Sequence, residues 1–569
     1  MDNQRLLIWA FFGLMAWITY QTWLQDYAPT AIAVVSESAE PSAELQGELD
    51  LPEMAAPMPD TAGSIDAPAP MEVVALQDEP AISIAGIIRV TTDVFEIKIS
   101  KQGGTLLEAS LLRYPVEKDQ PDTLVQLLSP DAANFGVIQT GLRVIGGGEE
   151  ANHLATFTSP SERYFLDGAE EIVVPLTWRS ANGVTVEKRF YFTRGGYAIR
   201  VEQEVTNNSD ALWRGVEYSQ IQRYFTVPDR SMFDVDSYSF SGPIVYDGEK
   251  SEKLKHDDLV DDGTFSLSSQ AGWFGSIQHH FLSVVVPQSG SEQKISVKVR
   301  GDRSIASAIG LEVQTIAPGA SKVFITTLFV GPKLQSQLAE IDDSLKLTVD
   351  YGWLTIISQP LFWLLSVVFG FVGNWGVAII FVTFLIKLAF YKLTESSGRS
   401  MAKMRNLQPR MTALKERYKD DKQAHSQAMM ELYKREKVNP AAGCLPILIQ
   451  MPFFLAFYWV LLESVEMRQA PFALWITDLS TRDPYFILPL IMGAAMFMQQ
   501  KLNPAPADPV QAKVMQIMPI MFTVFFAFFP SGLVLYWVTN TLLSIAQQWN
   551  INKVVAQEAK TSKGGKKGK

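Results

Sequence analysis

Lys387 is the residue with the clearest chemistry to explain, because it lies in a stretch that is otherwise suited to lipid. Residues 374–391 contain no other charged side chain. Insertion scales put a lysine at the centre of a membrane helix at a cost of about 2.5–3.5 kcal/mol, so such a residue predicts a functional site. The alternative is that the side chain extends to the membrane surface. Lys392 lies five residues further on, or about 7–8 Å along a helix, which keeps that alternative open.

Polar residues in three apolar segments repeat at helical spacing and predict a shared polar cavity. Thr383 and Tyr391 lie four residues to either side of Lys387 and share its helix face. Gln450 lies at a comparable depth in another apolar segment. In the last segment the polar positions on one face are Tyr536, Asn540, Ser544 and Gln547. Because such groups avoid lipid tails, we expect them to line one wet groove.

These polar side chains have two interpretations, a packing role or a binding role. Hydrogen bonds between membrane helices contribute about 0.6 kcal/mol each and would explain the amides. They do not explain Lys387, because no other apolar segment carries an Asp or Glu at matching depth. A cation without an acidic partner among helices indicates a site for an anionic partner.

Methionines recur along two of the apolar segments and predict a surface that accepts varied apolar helices. They are Met492, Met496, Met498, Met515, Met518 and Met521. Flexible thioethers adapt to partners of different shape. For any single methionine, ordinary packing against lipid or a neighbouring helix is the simpler explanation.

The charges divide the chain into an acidic part and a basic part. Residues 355–569 hold 23 Lys and Arg against 12 Asp and Glu, whereas residues 1–354 hold 26 against 48. The basic part indicates cytoplasmic loops near anionic lipid or RNA, and the acidic part argues against DNA as a partner. Cys444 is the only cysteine, which excludes an internal disulfide and a cysteine-based zinc cluster. The five histidines show no metal-ligand spacing, so we expect no metal and no cofactor.

Residues 1–349 predict an anchor, a tether and a large β domain. Leu6–Leu24 is an apolar run of 19 residues, whose length favours a retained anchor (1–25) over a cleaved signal peptide. Residues 26–80 are rich in Pro, Ala and acidic residues and predict a disordered tether. In the domain 81–349, β-branched and aromatic runs alternate with Gly and Asn turns, which predicts a β-sandwich. Residues 333–349 predict one helix that leads back to the membrane.

The C-terminal part predicts five further membrane spans, within a core that covers residues 374–550. They lie near residues 374–392, 444–463, 485–500, 514–529 and 532–549. The segment 350–373 before them predicts an amphipathic helix at the membrane surface, interrupted by Pro360.

Loop charges fix the predicted orientation of these spans. The loop 392–443 contains 12 Lys and Arg, whereas the loop 464–484 contains two. The positive-inside rule puts the first loop and the lysine-rich tail 551–569 in the cytoplasm. Six spans then satisfy all the loop charges, with both termini in the cytoplasm and the β domain outside.

The loop itself predicts a helical hairpin, residues 396–438. Met401, Met404, Leu407, Met411 and Leu414 recur at spacings of three and four, which predicts an amphipathic helix. Asp420 and Asp421 can cap a second helix, with Met429, Met430, Leu432 and Tyr433 as its apolar positions. The basic outer face is either a solvated surface or a docking site for a ribosome, lipid head groups or another partner.

Enzyme signatures give little support to catalysis. The sequence contains no P-loop, HExxH, GxSxG or zinc motif. A Ser–Lys dyad of Ser544 and Lys387 is conceivable, but it would require the two side chains within hydrogen-bond reach. A small-anion transporter is a second alternative. Transporters commonly contain two related halves, and the five predicted spans show no internal repeat, which counts against it. The third is a carbohydrate enzyme or binding module in the β domain, which would need a clustered acid–base pair.

The C-terminal half contains seven longer motifs. They are Asp350-Tyr-Gly-Trp353, Gly373-Asn-Trp-Gly376, Lys437-Val-Asn-Pro440, Gly443-Cys-Leu-Pro446, Gln450-Met-Pro452, Gln469-Ala-Pro-Phe-Ala-Leu-Trp475 and Phe529-Pro-Ser-Gly-Leu-Val-Leu-Tyr536. In this order they resemble the YidC membrane protein insertases, and the resemblance covers nearly the whole chain. Arg89-Val-Thr-Thr-Asp-Val94 with Gly103-Gly104 resembles the start of that family's periplasmic domain.

The resemblance implies a bacterial inner-membrane protein with a periplasmic β-supersandwich, one N-terminal span and a five-span core. It implies insertion and folding of nascent inner-membrane proteins, alone or with the Sec translocon, and without catalysis. In the family a positively charged groove, open to cytoplasm and lipid, receives a client's polar segment, and the apolar client helix leaves along the third and fifth spans.

Individual groove residues follow from the same resemblance. Lys387 stands where many members carry arginine, which keeps the charge but loses the planar fork of the guanidinium. Thr383 matches a groove threonine, and Met451 and Pro452 match a stretch that contacts clients. Trp537 stands where the family usually has tyrosine. The predicted groove residues are therefore Lys387, Thr383, Gln450, Tyr536, Trp537, Asn540 and Ser544. The predicted residues of the exit path are Met451, Pro452, Met515 and Met518.

Overall fold

The computed structural model describes residues 86–224, 239–288, 290–419, 421–436, 438, 445–502 and 509–564. The predicted anchor Leu6–Leu24, the tether 26–80, Cys444, Asn439-Pro440 and the last lysines of the tail lie outside the described residues. The chain divides into two compact units. A β unit extends to Asp350 and includes Leu462–Glu466, and a helical unit holds the other described residues from Tyr351 onward.

The β unit is built from nineteen described strands in two sheets. They are β1 (Ile87–Thr91), β2 (Phe95–Ser100), β3 (Leu106–Pro115), β4 (Leu124–Leu128), β5 (Gly136–Val144), β6 (Arg163–Phe165), β7 (Glu171–Arg179), β8 (Val184–Thr193), β9 (Ala198–Asn207), β10 (Trp213–Tyr224), β11 (Ser241–Tyr246), β12 (Ser251–Lys253), β13 (Phe265–Ser269), β14 (Trp273–Gln278), β15 (Phe281–Pro287), β16 (Gln293–Arg300), β17 (Arg303–Gly310), β18 (Gln314–Ile316) and β19 (Ser321–Pro332). A short helix, α1 (His256–Asp262), lies between β12 and β13.

The sheet order confirms the predicted sandwich. An eleven-stranded sheet runs β13-β16-β17-β10-β5-β3-β2-β1-β6, with β18 paired to β10 and β4 paired to β3. An eight-stranded sheet runs β12-β11-β14-β15-β19-β9-β8-β7. Strand β8 shows why the sheets pack, because its residues alternate between buried and half-buried over nine positions. The inward positions include Phe190 and Phe192, which are buried in the core.

Lys188 also occupies an inward position of β8 and joins the two sheets. Its ammonium group donates to the carbonyl oxygens of Gly103, in the turn after β2, and Thr140, in β5, both at 2.7 Å. Full burial lowers the pKa of Lys188 from its usual 10.5 to about 7, because desolvation penalises the charged form. Gly103 has a φ of 69°, a conformation that glycine adopts at low cost in this turn.

The end of the β unit differs from the single helix predicted for residues 333–349. The structure has an α-helix, α2 (Gln335–Ile341), and then a 3-10 helix (Asp343–Thr348). Asp342 separates them with an extended backbone, φ −157°, and its side chain accepts the backbone N–H of Ser344 at 2.8 Å. An acidic residue that caps the following turn ends the first helix.

The helical unit contains eight described α-helices. They are α3 (Thr355–Val372), α4 (Trp375–Ala389), α5 (Tyr391–Arg417), α6 (Lys422–Arg435), α7 (Leu445–Glu463), α8 (Ile487–Leu502), α9 (Pro509–Phe526) and α10 (Ser531–Gly564). Helix α3 continues through Pro360, so the predicted interruption there was wrong. Helix α10 continues through most of the predicted basic tail.

Length and hydropathy give a direct measure of which described helices could span a membrane. Gly352–Val372 passes both tests, with 21 residues and a mean hydropathy of 1.8. Helices α4 and α5 pass together, although the chain bends by 69° between them. Leu448–Glu463, Ile487–Leu502 and Lys513–Phe526 are shorter apolar helical segments. The count of six spans therefore stays a prediction.

The predicted cytoplasmic hairpin is present as α5 and α6. Helix α5 begins at Tyr391, five residues before the predicted start of the hairpin at residue 396. Asp421 caps α6, because its side chain accepts the N–H groups of Gln423 and Ala424 at 3.0 and 2.9 Å. The two helices pack through a buried apolar cluster of Leu407, Met411, Met429, Leu432 and Val438. Met430 is 43% exposed and takes no part in it.

Candidate functional site: a polar cluster between three helices

Lys387 lies in the last turn of α4 and is buried, with only 8% of its surface exposed. Its ammonium group donates to Ser544 Oγ of α10 at 2.8 Å. The Ser544 hydroxyl in turn donates to the backbone carbonyl of Asn540 at 2.7 Å. Within the described part of the chain, no carboxylate lies at salt-bridge distance from Lys387. The predicted cation without an acidic partner therefore has a hydroxyl as its partner.

Amides connect the same region to α7. Gln450 and Asn540 face each other with reciprocal amide contacts, both at 3.4 Å between nitrogen and oxygen. Two turns further along α10, Gln547 donates to the carbonyl of Tyr391 at 3.3 Å. We name Lys387, Gln450, Asn540 and Ser544 the groove cluster. It joins α4, α7 and α10 through polar side chains, and its amide contacts, at 3.4 Å, are long for hydrogen bonds.

Thr383 lies one turn from Lys387 and is buried, at 1% exposure. Its hydroxyl donates to the carbonyl of Ile379 at 2.6 Å, within its own helix. The structure therefore places Thr383 on the predicted side of α4 without a polar contact to the groove cluster.

Tyr536 and Trp537 lie in an aromatic cluster, one turn along α10 from Asn540. Tyr536 is 3% exposed and stacks on Phe457 of α7, with ring centroids 4.4 Å apart. Trp537 contacts Phe454 of α7 at 4.9 Å and Phe526 of α9 at 5.2 Å. Helical spacing predicts Tyr536 on the polar face of α10. In the structure its ring packs against aromatic side chains of α7 and does not contact Lys387.

This aromatic cluster is a feature that the polar pattern did not reveal. Phe454 packs against Phe526 of α9 and Trp537 of α10, and Phe457 packs against Tyr536 of α10. Phe457 and Phe526 are buried there, at 0% and 2% exposure. The repeated Phe residues near 454 and 526 were the available sequence signal.

The predicted exit-path residues lie on the surfaces of α7 and α9. Met451 is 37% exposed, whereas Pro452, Met515 and Met518 are half-buried. The structure thus leaves Met451 accessible beside Gln450. Contact with a client helix stays a prediction for all four residues.

A loop between α7 and α8 holds the N-terminal ends of α4 and α10. The Asn374 side chain caps α4 by accepting the N–H of Val377 at 3.0 Å, and it donates to the carbonyl of Phe472 at 2.9 Å. Ser531, the first residue of α10, bonds through its N–H to the carbonyl of Thr481 and through its hydroxyl to that of Asp478, both at 2.7 Å. We call these contacts the loop clamp.

The loop clamp sets the register in which Lys387 and Ser544 meet. Lys387 lies 13 residues after Asn374, and Ser544 lies 13 residues after Ser531. At 1.5 Å per residue, both side chains are about 20 Å from the clamp. Two helices held at one end by the same loop therefore bring the two groups to the same depth. Sequence reasoning missed this role, although Asn before an apolar helix is a common N-cap.

The short distance between Lys387 and Ser544 meets one requirement of the Ser–Lys dyad. The surroundings of Ser544 oppose it, since its hydroxyl has one proton and lies 2.7 Å from the carbonyl oxygen of Asn540, which competes for that proton. A general base would have to accept the hydroxyl proton instead. The geometry is that of an ammonium group held by an acceptor.

A small cavity in the β unit bears on the carbohydrate alternative. It has a volume of about 10 Å³ and is lined by Ser100, Gln102, Thr105, Leu107, Val137, Gln139 and His153. Burial and the nearby Lys188 lower the pKa of His153 to about 4, so this imidazole is neutral at pH 7. The lining contains no carboxylate and thus no acid–base pair.

Comparisons with known proteins agree over both units. The model of the YidC periplasmic domain matches residues 87–364, and that of the 60Kd inner membrane protein matches residues 367–559. The membrane protein insertase YidC of Nitrosococcus oceani is 45% identical over 98% of this chain and 100% of its own length. The chain belongs to the YidC family of membrane protein insertases. The insertase of Thioalkalivibrio sulfidiphilus is 47% identical over the full length of both chains.

Family membership establishes the general activity and compartment. This insertase acts on membrane proteins, in a bacterial inner membrane, through a process that is not enzymatic. A crystal structure of an active YidC insertase with its first transmembrane domain resolved has a TM-score of 0.39 and 22% identity, covering 82% of this chain and 92% of that one.

Proposed function

We propose that the groove cluster receives the polar, preferably acidic, segment of a client before it crosses the membrane. The observation that carries this proposal is the bonding of Lys387. This buried cation is held by a serine hydroxyl, and within the described chain no carboxylate lies at salt-bridge distance. A client carboxylate can replace Ser544 as its partner and adds an ionic attraction.

The magnitude of that attraction is enough to select clients. Two unit charges about 6 Å apart at an effective dielectric constant of about 20 interact by about 2.8 kcal/mol, or roughly a hundredfold in occupancy. The amides of Gln450 and Asn540 reduce the cost of removing the client's other polar groups from water. The aromatic cluster beyond them limits how far the wet region extends. The apolar client helix then leaves along α7 and α9, past Met451 and Met515.

Orientation in the membrane supplies the release step. With six spans, both termini in the cytoplasm and the β unit in the periplasm, the groove cluster lies towards the cytoplasmic side. A membrane potential that is positive outside moves each acidic charge outward with about 2.3 kcal/mol per 100 mV. Lys387 thus recruits the acidic segment, and the potential favours its departure.

The hairpin of α5 and α6 and the basic end of α10 are the proposed contacts with the ribosome, and the Sec translocon is a second proposed partner. The apolar faces of α5 and α6 are used in packing against each other. Lys403, Arg405, Lys415, Arg417 and Lys419 remain exposed on the hairpin. A cationic surface of this kind attracts the phosphates of ribosomal RNA.

Variants at Lys387 test the groove mechanism. In cells depleted of their own insertase, Lys387→Ala should fail to insert an acidic client with a short tail, as scored by protease protection. Lys387→Arg should restore it, because the charge is retained. Ser544→Ala is the matched control, since it removes the hydroxyl partner and leaves the cation. Wild-type insertion of the acidic client by Lys387→Ala would show that groove polarity, and not charge, carries the function.

A further inference from the structure

Leu474 has a backbone conformation that leucine rarely adopts. It lies in the loop between α7 and α8 with a φ of 55°, in a turn closed by the N–H of Ile476 and the carbonyl of Ala473 at 3.1 Å. Glycine or asparagine is the usual residue at such a position, because a branched side chain crowds the backbone there. A leucine in this position needs a favourable contact elsewhere.

The described chain does not provide that contact. Leu474 is 86% exposed. The loop around it is nevertheless well fixed, since the N–H of Phe472 donates to the carbonyl of Ile476 at 3.0 Å and the indole of Trp475 donates to Asp483 at 3.0 Å. The strained leucine is thus held outward by a firm loop.

Other exposed apolar side chains lie on segments that are hydrogen-bonded to the same loop. Phe371, 87% exposed, is the penultimate residue of α3 and lies three residues before Asn374, whose amide donates to the carbonyl of Phe472. Tyr485 and Phe486 are 67% and 40% exposed, and the N–H of Tyr485 binds the same Asp483 carboxylate that holds Trp475. We call Phe371, Leu474, Tyr485 and Phe486 the apolar rim.

The apolar rim continues into a helix surface that faces outward. Helix α8 begins directly after Phe486, and its residues Leu490 and Ile491 are 63% and 41% exposed. In a membrane protein, exposed apolar residues of this kind on a core helix contact lipid tails. Aromatic and aliphatic side chains at the end of such a helix belong to the zone where lipid chains meet head groups.

We propose that the apolar rim is a lipid anchor that inserts into the membrane leaflet at the outer end of α4 and α10. The occupant is bilayer lipid, because the rim is continuous with the lipid-facing surface of α8 and combines aromatic with aliphatic groups. The anchor fixes the depth of the loop clamp. Since the groove cluster lies a fixed number of residues from that clamp, the anchor also fixes the depth of the groove. The proposal goes beyond the groove mechanism and does not depend on the charge of Lys387.

Fluorescence quenching tests the anchor in the full-length protein. The single cysteine, Cys444, is replaced by serine, and Leu474→Cys is labelled with an environment-sensitive fluorophore. The labelled insertase is reconstituted into vesicles of phosphatidylethanolamine and phosphatidylglycerol. Lipids that carry a spin label near the head group quench a probe in the interfacial zone, whereas iodide quenches a probe in water. Tyr485→Cys is a second reporter that leaves the left-handed residue unchanged.

Val323→Cys is the matched control, because Val323 is an exposed apolar residue of β19 in the β unit. We expect lipid quenching several-fold stronger at residues 474 and 485 than at 323, and iodide quenching in the reverse order. Iodide quenching at both rim positions as strong as at the control would overturn the proposal. Protection from both quenchers would also overturn it, since it would show that protein covers the rim.

Discussion

Asn374 offers a sharp test of how the groove is assembled, because its side chain makes two separable contacts. Its Oδ1 atom caps α4, and its Nδ2 atom donates to the carbonyl of Phe472 in the loop clamp. A lost N-cap costs about 1 kcal/mol, and a lost neutral hydrogen bond costs about another 1 kcal/mol. We therefore expect Asn374→Ala to lower the free energy of unfolding by about 2 kcal/mol.

Asn374→Asp separates the two contacts, because a carboxylate accepts hydrogen bonds but does not donate them. It retains the cap of α4 and loses the bond to the loop, so its stability should fall by about 1 kcal/mol. If the loop clamp sets helix register, this variant should also lower the yield of a short thiol cross-linker between Lys387→Cys and Ser544→Cys. The background for this pair is Cys444→Ser.

Two measurements decide the outcome: the unfolding midpoint in detergent, followed by tryptophan fluorescence, and the cross-linking yield in membranes. A loss of stability with an unchanged cross-linking yield would mean that the clamp stabilises α4 without setting its register. An Asn374→Asp variant that matches the wild type in both measurements would refute the role of the loop clamp altogether.

Three further predictions follow from buried contacts. Gly376→Ala should lower the thermal unfolding midpoint in detergent, because the added Cβ would lie 2.1 Å from a ring carbon of Phe472. Gly370→Ala is the control and should leave the midpoint unchanged, because its added Cβ meets no atom within 4 Å. Equal midpoints for the two variants would contradict this prediction. The lowered pKa of Lys188, about 7, means that the folded chain holds fewer protons than the unfolded chain between about pH 7 and 10.5. Stability against urea should therefore rise across that range by up to about 1.4 kcal/mol per pH unit in the wild type and not in Lys188→Met, and parallel pH profiles would refute it. Leu407→Ala should destabilise the hairpin by about 2–5 kcal/mol, measured as faster amide exchange in α5 and α6 with no change in the β unit.

Periodicity determined much of this protein without help from tertiary structure. The alternation in β8 predicts a strand at 184–192, and the structure has Val184–Thr193. The apolar spacing from Met401 to Leu414 predicts an amphipathic helix whose inward positions include Leu407 and Met411, as found. These patterns succeed because a strand or helix fixes which side chains share a face, whatever the neighbours are.

Single capping residues also decide where some helices begin and end, although this effect is easily missed in the sequence. Asp421 caps α6 as its sequence position predicts. Asp342 acts in the same way and breaks the helix predicted at 333–349, because its carboxylate accepts the N–H and the hydroxyl of Ser344. Pro360 had the opposite outcome, since α3 continues through it. A helix packed along one side tolerates the single backbone bond that a proline removes.

Tertiary structure decided which neighbour each face meets. The sequence by itself determined that Lys387 is a cation in an apolar helix and that Ser544 and Tyr536 share a face of α10. Only packing decided that Ser544 lies 2.8 Å from Lys387, whereas Tyr536 stacks on Phe457. The physical reason is that helical spacing fixes direction around one axis, whereas the depth at which two helices cross depends on contacts far along the chain. Here the loop clamp provides those contacts at Asn374 and Ser531.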